Sequence, residues 1–219
     1  MSLPAPRLQC RDLAFGYDEV SLLFDSFDLT LTPGERVALK GASGIGKSTL
    51  FQLLLGFYKP RSGEILYRDR PWSTQIRRET AWLPQELSLG EGNVRGILLR
   101  PFEFKVNRDL LPDKQEILHL MDDLNLDPSL LNQSWSMLST GQKQRMGMVS
   151  VLLLNRPLLL LDEPTSALDD VSKSQLTDRL FHNRHQTILS TSHDPWWLER
   201  CDRTIDLNVH FNPESGGNS

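Results

Sequence analysis

At 219 residues the chain is long enough for one sizeable core with a small inserted lobe, but too short for two large ones. Its 24 basic and 28 acidic residues, net −4, give no whole-chain electrostatic footprint for nucleic acid, so no direct nucleic-acid partner is expected. The most apolar stretch, Met148 to Leu161, is interrupted by Asn155-Arg156-Pro157 and falls short of the roughly 20 residues a membrane-spanning helix needs.

The opening segment MSLPAPRLQCRD has neither a basic start followed by an apolar run nor a small-residue cleavage site. No secretory signal is read from it, and a cytoplasmic location is expected. From Leu8 to Lys40, local alternation as in Phe27-Asp28-Leu29-Thr30-Leu31, then a Pro33-Gly34 turn and Arg36-Val37-Ala38-Leu39, predicts β-strands. These feed a glycine-rich run, after which Ser48 to Phe57 carries apolar residues at helical spacing. Gly63 to Trp82 reads as a second β-rich piece. Glu86 to Trp135 reads as mostly helical, with turns at Gly90-Glu91-Gly92-Asn93, Pro112-Asp113 and Asp127-Pro128. An inserted helical lobe over about 86–150 is the expectation. Alternation of helix and strand then returns: a helix from about Gln142 to Leu154, a buried strand Leu158 to Leu161, a helix after Asp169 and a strand Gln186 to Ser190. The Gly- and Ser-rich end, 212–219, is expected to be a flexible tail. Cys10 and Cys201, far apart in sequence, read as buried or inert thiols rather than a disulfide or metal pair.

Three segments carry chemistry. Gly41-Ala42-Ser43-Gly44-Ile45-Gly46-Lys47-Ser48-Thr49 fits the G-x-x-x-x-G-K-[ST] pattern, in which glycines let backbone N–H groups curl around phosphate oxygens. Lys47 would reach the β and γ phosphates, and the Ser48 hydroxyl would bind Mg²⁺. The following helix would aim its positive end at the phosphates. At Leu158 to Glu163, four leucines deliver adjacent carboxylates to the end of a buried strand. Asp162 is placed to hold Mg²⁺ and Glu163 to orient or deprotonate a water; alone, the same residues would also suit a solvated acidic turn. Ser139 followed by Gln142 is a capping-box pattern, and a capped helix with Gly141 in its first turn also offers bare N–H groups to an anion.

Taken together and in order, Phe15-Gly16-Tyr17, the glycine-rich loop, Pro84-Gln85, Leu138-Ser139-Thr140-Gly141-Gln142, the LLLLDEP run, Ser166-Ala167-Leu168-Asp169 and Ser192-His193-Asp194 resemble the ATP-binding cassette (ABC) ATPases. The resemblance extends from about Leu8 to Leu207. It implies an α/β fold: a P-loop NTPase core of ABC ATPase type with an N-terminal antiparallel β subdomain and an inserted helical lobe, one cassette per chain. It also implies that Tyr17 stacks on adenine, although a lone Tyr in a turn is often a surface ring. Gln85 would sense Mg²⁺ and the attacking water, and His193 would contact the γ-phosphate; Ser-His-Asp-Pro also reads as a helix cap. Ser139 and Gly141 would touch a partner's γ-phosphate, and Asp169 would cross to the opposite subunit. Thr140 departs from the usual LSGGQ signature, replacing its first glycine, which puts backbone freedom there in question.

By the same resemblance, two copies would pair head to tail around two ATP molecules. The homodimer would work as the ATPase of a separate integral-membrane permease, peripheral on the cytoplasmic face of the inner membrane. The lobe and the SALDD region are faintly similar to small ATPases of bacterial metal-export-type systems. The alternative is a soluble ABC ATPase acting on a nucleic-acid or ribosomal assembly. Such relatives usually show two cassettes or long heptad-bearing coiled coils, and neither is visible here.

Overall fold

The structure, a computed structural model, describes residues 7–19, 21–72, 75–87, 90–182 and 184–209, so the expected tail at 212–219 lies outside the described residues. The central layer is an all-parallel sheet in the order β6 (Thr80–Leu83), β7 (Leu158–Asp162), β8 (Thr187–Thr191), β3 (Arg36–Lys40) and β9 (Arg203–Asp206). A second, antiparallel sheet runs β2 (Phe24–Leu31), β1 (Leu8–Phe15), β4 (Ser62–Tyr67) and β5 (Arg70–Pro71). It is drawn from both sides of the glycine-rich loop, because β4 returns to pair with β1 after the first helix.

Strand β7 shows why the parallel sheet is apolar throughout. Side chains alternate between the two faces of a strand, and here both faces are covered. Leu159 and Leu161 enter a core with Met146, Val149 and Leu120, whereas Leu158 and Leu160 enter another with Leu50, Phe51 and Phe27. All four leucines are fully buried, each stabilising the fold by roughly 1.5–3 kcal/mol. The parallel register sets Asp162 beside Thr191 and Leu39 beside Thr191, so the carboxyl ends of β3, β7 and β8 share one edge. Ligands of open α/β sheets bind at that edge.

The helices are α1 (Lys47–Leu54), α2 (Gln75–Glu79), α3 (Val94–Glu103), α4 (Lys114–Asp123), α5 (Thr140–Leu154), α6 (Asp170–His182) and α7 (Pro195–Leu198). Helix α1 stops short of the expected Phe57, because Gly56 turns left-handed at φ 68° with the Trp72 ring packed where a Cβ would stand. Helix α5 begins two residues before the expected Gln142: Ser139 is its N-cap, which makes Thr140 the first helical residue. Asn155, at φ 43°, ends it. The β-rich reading of 63–82 conceals α2, whose Glu79 accepts hydrogen bonds from Tyr67, Arg68 and Gln75. Strand β7 runs one residue beyond the expected Leu161, to Asp162. Strand β8 starts at Thr187 rather than Gln186, whose side chain instead bonds the Arg156 carbonyl.

Both cysteines are free, and burial pushes each thiol up to about 12. The thiolate is the reactive form, so at pH 8 the folded chain should resist iodoacetamide and take up two labels only after denaturation. Mass spectrometry before and after denaturant reads this; rapid labelling of native Cys201 would contradict it.

Candidate active site

The edge formed by β3, β7 and β8 opens into a cleft of about 520 Å³ lined by Tyr17, Ser43, Gly44, Gly46, Lys47, Ser48, Thr49, Gln85, Asp162, Glu163 and His193, with Leu23 at its side. The glycine-rich loop leaves β3 at Gly41 and enters α1 at Lys47. Gly46 takes φ 105°, and a Cβ there would lie 2.9 Å from the Phe24 ring, so the tight entry needs glycine. Helix α1 has no side-chain N-cap, which leaves its first N–H groups to a ligand. Gly41 and Ile45 are buried and shape the loop from behind. Ala42 donates its N–H to Asn208 Oδ1 at 3.2 Å.

The acidic strand end is tied to this loop directly. The Ser48 hydroxyl donates to Asp162 Oδ2 at 2.8 Å, and the Thr191 hydroxyl donates to Asp162 Oδ1 at 2.5 Å. Glu163 follows in a left-handed conformation, φ 50°, a costly position for a side chain of this size. Its N–H donates to both Thr191 O at 3.2 Å and Thr191 Oγ1 at 3.1 Å. The Glu163 carboxylate turns toward His193: the His193 N–H donates to Oε2 at 3.4 Å, and His193 Nε2 lies 3.7 Å from Oε1. Lys47 Nζ donates to Gly41 O at 2.6 Å and Ala42 O at 3.0 Å and lies 3.4 Å from His193 Nε2. A cation, an imidazole and a carboxylate therefore meet in one small volume.

Tyr17 stands at the rim. Its hydroxyl shares a 2.6 Å hydrogen bond with Thr49 Oγ1, and its ring is braced edge-on by Phe15 and Tyr58 while staying 63 % exposed. Gln85 lies just beyond β6 and is exposed to the cleft. Two residues on, Leu87 packs on Gly147 of α5, where a Cβ would come within 2.4 Å of the leucine.

Ser139, Gly141, Gln142 and Asp169 are not brought into this cleft. Ser139 and Gln142 form the full capping box: Ser139 Oγ accepts from the Gln142 N–H at 3.2 Å, and Gln142 Oε1 accepts from the Ser139 N–H at 2.9 Å. Asp169 caps α6, and the Ser172 N–H and the Asn125 amide hold its carboxyl below the usual carboxylate range. Two residues that sequence reading passed over stand out. Thr191 anchors both acidic residues, and Gln144 reaches the Glu163 carbonyl. Neither belongs to a motif quoted from the sequence; only strand register and helix docking reveal them.

A glycine-rich loop between β3 and α1, with β7 delivering Asp162 and Glu163 to the same sheet edge, defines a P-loop nucleoside-triphosphatase fold. The family model described as ABC transporter matches residues 24–166. The thiamine import ATP-binding protein ThiQ of Yersinia pestis is 36 % identical over 198 residues, covering 85 % of this chain and 80 % of that protein. The mesentericin-Y105 transport/processing ATP-binding protein MesD of Leuconostoc mesenteroides is 31 % identical over 212 residues; that match takes in 93 % of this chain but only 29 % of the longer relative. Among solved structures, cbiO1 from Clostridium perfringens, part of the ABC transporter complex cbiONQ, superimposes with TM-score 0.71 at 25 % identity over 91 % of this chain and 83 % of cbiO1. The chain belongs to the ABC transporter family and is an ATP-binding ATPase of that family.

Proposed function

We propose that this ATPase hydrolyses ATP in the cleft between the glycine-rich loop and Glu163, and that it drives transport through a separate integral-membrane permease. The observation that carries this reading is the convergence of Lys47, His193 and Glu163 beside the Ser48–Asp162 pair. Ser48, Asp162 and Gln85 present hydroxyl, carboxylate and amide oxygens, the hard donors Mg²⁺ takes, and the first two already meet. These three residues would hold the ion, which when bound with ATP neutralises charge on the phosphate oxygens.

The chain's own groups do the rest. Loop N–H groups and the open α1 terminus bind the phosphates, while Lys47 exchanges its contacts with Gly41 and Ala42 for phosphate oxygens. Glu163 accepts a proton from the attacking water as the new O–P bond forms and the β–γ bridge breaks to ADP and phosphate. The His193 imidazole, held against Glu163, faces the departing phosphate. Tyr17 offers an exposed ring to the base. The helical segments between β6 and β7 form the lobe, and Gln85 links it to the cleft because Leu87 of the same segment is seated on α5.

A second copy completes the site in this reading. The Ser139 hydroxyl spends only its acceptor side on the capping box, leaving its proton for a partner's γ-phosphate. A two-fold pair supplies the same surface to both sites. No helix among the described residues is long and apolar enough to cross a membrane. The names of the relatives span thiamine import and mesentericin transport, so the cassette residues select no cargo, and a metal cargo gains no support from them.

The test is a pull-down with tagged Glu163→Gln protein from detergent-solubilised membranes of the source organism, with ATP and Mg²⁺. A stoichiometric polytopic membrane protein is expected. Retention of only ribosomal or DNA-associated proteins would replace the transport reading with that of a soluble ATPase working on such an assembly.

A further inference from the structure

Helix α5 is bonded to the acidic turn at Gln144 and passes near it at Gly141. Gln144 Nε2 donates to the Glu163 carbonyl at 3.0 Å and to Ser166 Oγ at 2.7 Å. One turn earlier, a Cβ on Gly141 would rest 3.8 Å from Ala167 Cβ. The Glu163 carbonyl also accepts from the Ser166 N–H at 3.2 Å and the Ser166 hydroxyl at 3.0 Å, both within its own turn. Gln144 thus brings a donor to this carbonyl from a different element. The need for such a tether is visible in the backbone: Glu163 sits at φ 50°, and a non-glycine residue there persists only when its surroundings over-determine it. Thr191 fixes the N–H side of the residue, and Gln144 with Ser166 fixes the carbonyl side.

We infer that Gln144 is a positioning residue for Glu163, holding its left-handed backbone so that the carboxylate faces His193, and that it makes the acidic turn responsive to how the first turn of α5 is engaged. Gln144 has this role only if Glu163 takes the water's proton as proposed above. Ser139 and Gln144 stand on the opening turns of the same helix, one offered to a partner's nucleotide and the other bonded to the chain's own Glu163. A shift of α5 on pairing is therefore felt at Glu163 without passing through the nucleotide.

The experiment is steady-state ATP hydrolysis by the purified chain carrying Gln144→Met, similar in length but lacking the donor, or Gln144→Glu, which offers a carbonyl only an acceptor. Displacing a catalytic group by about 1 Å costs on the order of a hundredfold in rate, so kcat should fall roughly ten- to a hundredfold while the KM for ATP changes little. A second readout, ATP-driven pairing measured in a Glu163→Gln background, should survive both changes, because the capping box and Gly141 are untouched. Near wild-type kcat in the two variants overturns the inference. So does a parallel loss of kcat, KM and pairing, which would make Gln144 a general support of α5. A parent chain whose turnover is unaffected by Glu163→Gln removes Glu163 from the proton transfer proposed above and with it the ground for Gln144, and that result is read before Gln144 is changed.

Discussion

Glu163→Gln should lower ATP turnover by about 10²- to 10⁴-fold, the usual contribution of a positioned general base. That corresponds to roughly 3–5 kcal/mol of barrier at about 1.4 kcal/mol per factor of ten. The substitution is nearly isosteric, and every tether of the residue is spared. Thr191 still receives the N–H, Gln144 and Ser166 still donate to the carbonyl, and an amide oxygen can still accept the His193 N–H that now reaches Oε2 at 3.4 Å. What disappears is the ability to take a proton. The affinity for ATP should therefore change by less than about a factor of a few, since uniform binding is untouched when only a transition-state role is removed. ATP-dependent pairing should outlast that of the parent, because the nucleotide that favours the closed state is no longer consumed. Phosphate release and size-exclusion chromatography in the presence of ATP measure the two effects. Turnover near that of the parent would remove Glu163 from the chemistry and leave it as a brace for His193.

The residues of this site were legible in the sequence to the extent that their signal is local. The glycine-rich run declares itself because the loop, its lysine and its helix are contiguous. The Ser139–Gln142 box is readable because the partners are three residues apart, and the structure forms both of its bonds. The four leucines of β7 announce a strand covered on both faces, and each face receives two of them. Illegible parts depend on register and docking. Thr191 reaches Asp162 and Glu163 because β8 lies beside β7 in one register, and one residue of slip would turn its hydroxyl to the other face. Gln144 reads as an ordinary polar residue on a helix until α5 is laid against the acidic turn. Nothing in Asp162-Glu163-Pro164 foretells a left-handed glutamate; the strain is imposed by neighbours distant in sequence. Helix α2 was hidden because its five residues are too few to show a period, and β9 because its RTID sequence alternates weakly at the sheet edge.

Lys47→Ala is expected to act on binding where Glu163→Gln acts on turnover. The ammonium has three donors, and the structure commits two of them to Gly41 O and Ala42 O while His193 Nε2 stands 3.4 Å away. Those contacts fold the lysine over the loop whose N–H groups are to receive phosphate, so the cation is already aimed where anionic oxygens must sit. Truncating one partner of a hydrogen-bonded charge pair costs about 2–5 kcal/mol. At about 1.4 kcal/mol per factor of ten, the affinity for ATP should weaken roughly 30- to 4000-fold. The fold itself should tolerate the change, because the loop keeps the Ile45 N–H to Ala42 O bond at 3.3 Å and the Ala42 N–H to Asn208 bond at 3.2 Å. Thermal unfolding separates the possibilities. ATP raises the midpoint of any form that binds it by mass action, so at a concentration that saturates the parent but lies below the weakened dissociation constant, the parent and Glu163→Gln should shift upward together while Lys47→Ala stays near its nucleotide-free value. An ATP-dependent shift preserved in Lys47→Ala would mean that the loop N–H groups and the α1 terminus hold the phosphates unaided. A nucleotide-free midpoint that collapses would make the lysine a brace of its own loop. Failure to bind in one variant and binding without turnover in the other would place phosphate capture at α1, after β3, and water activation at the end of β7, two strands of one sheet joined through β8.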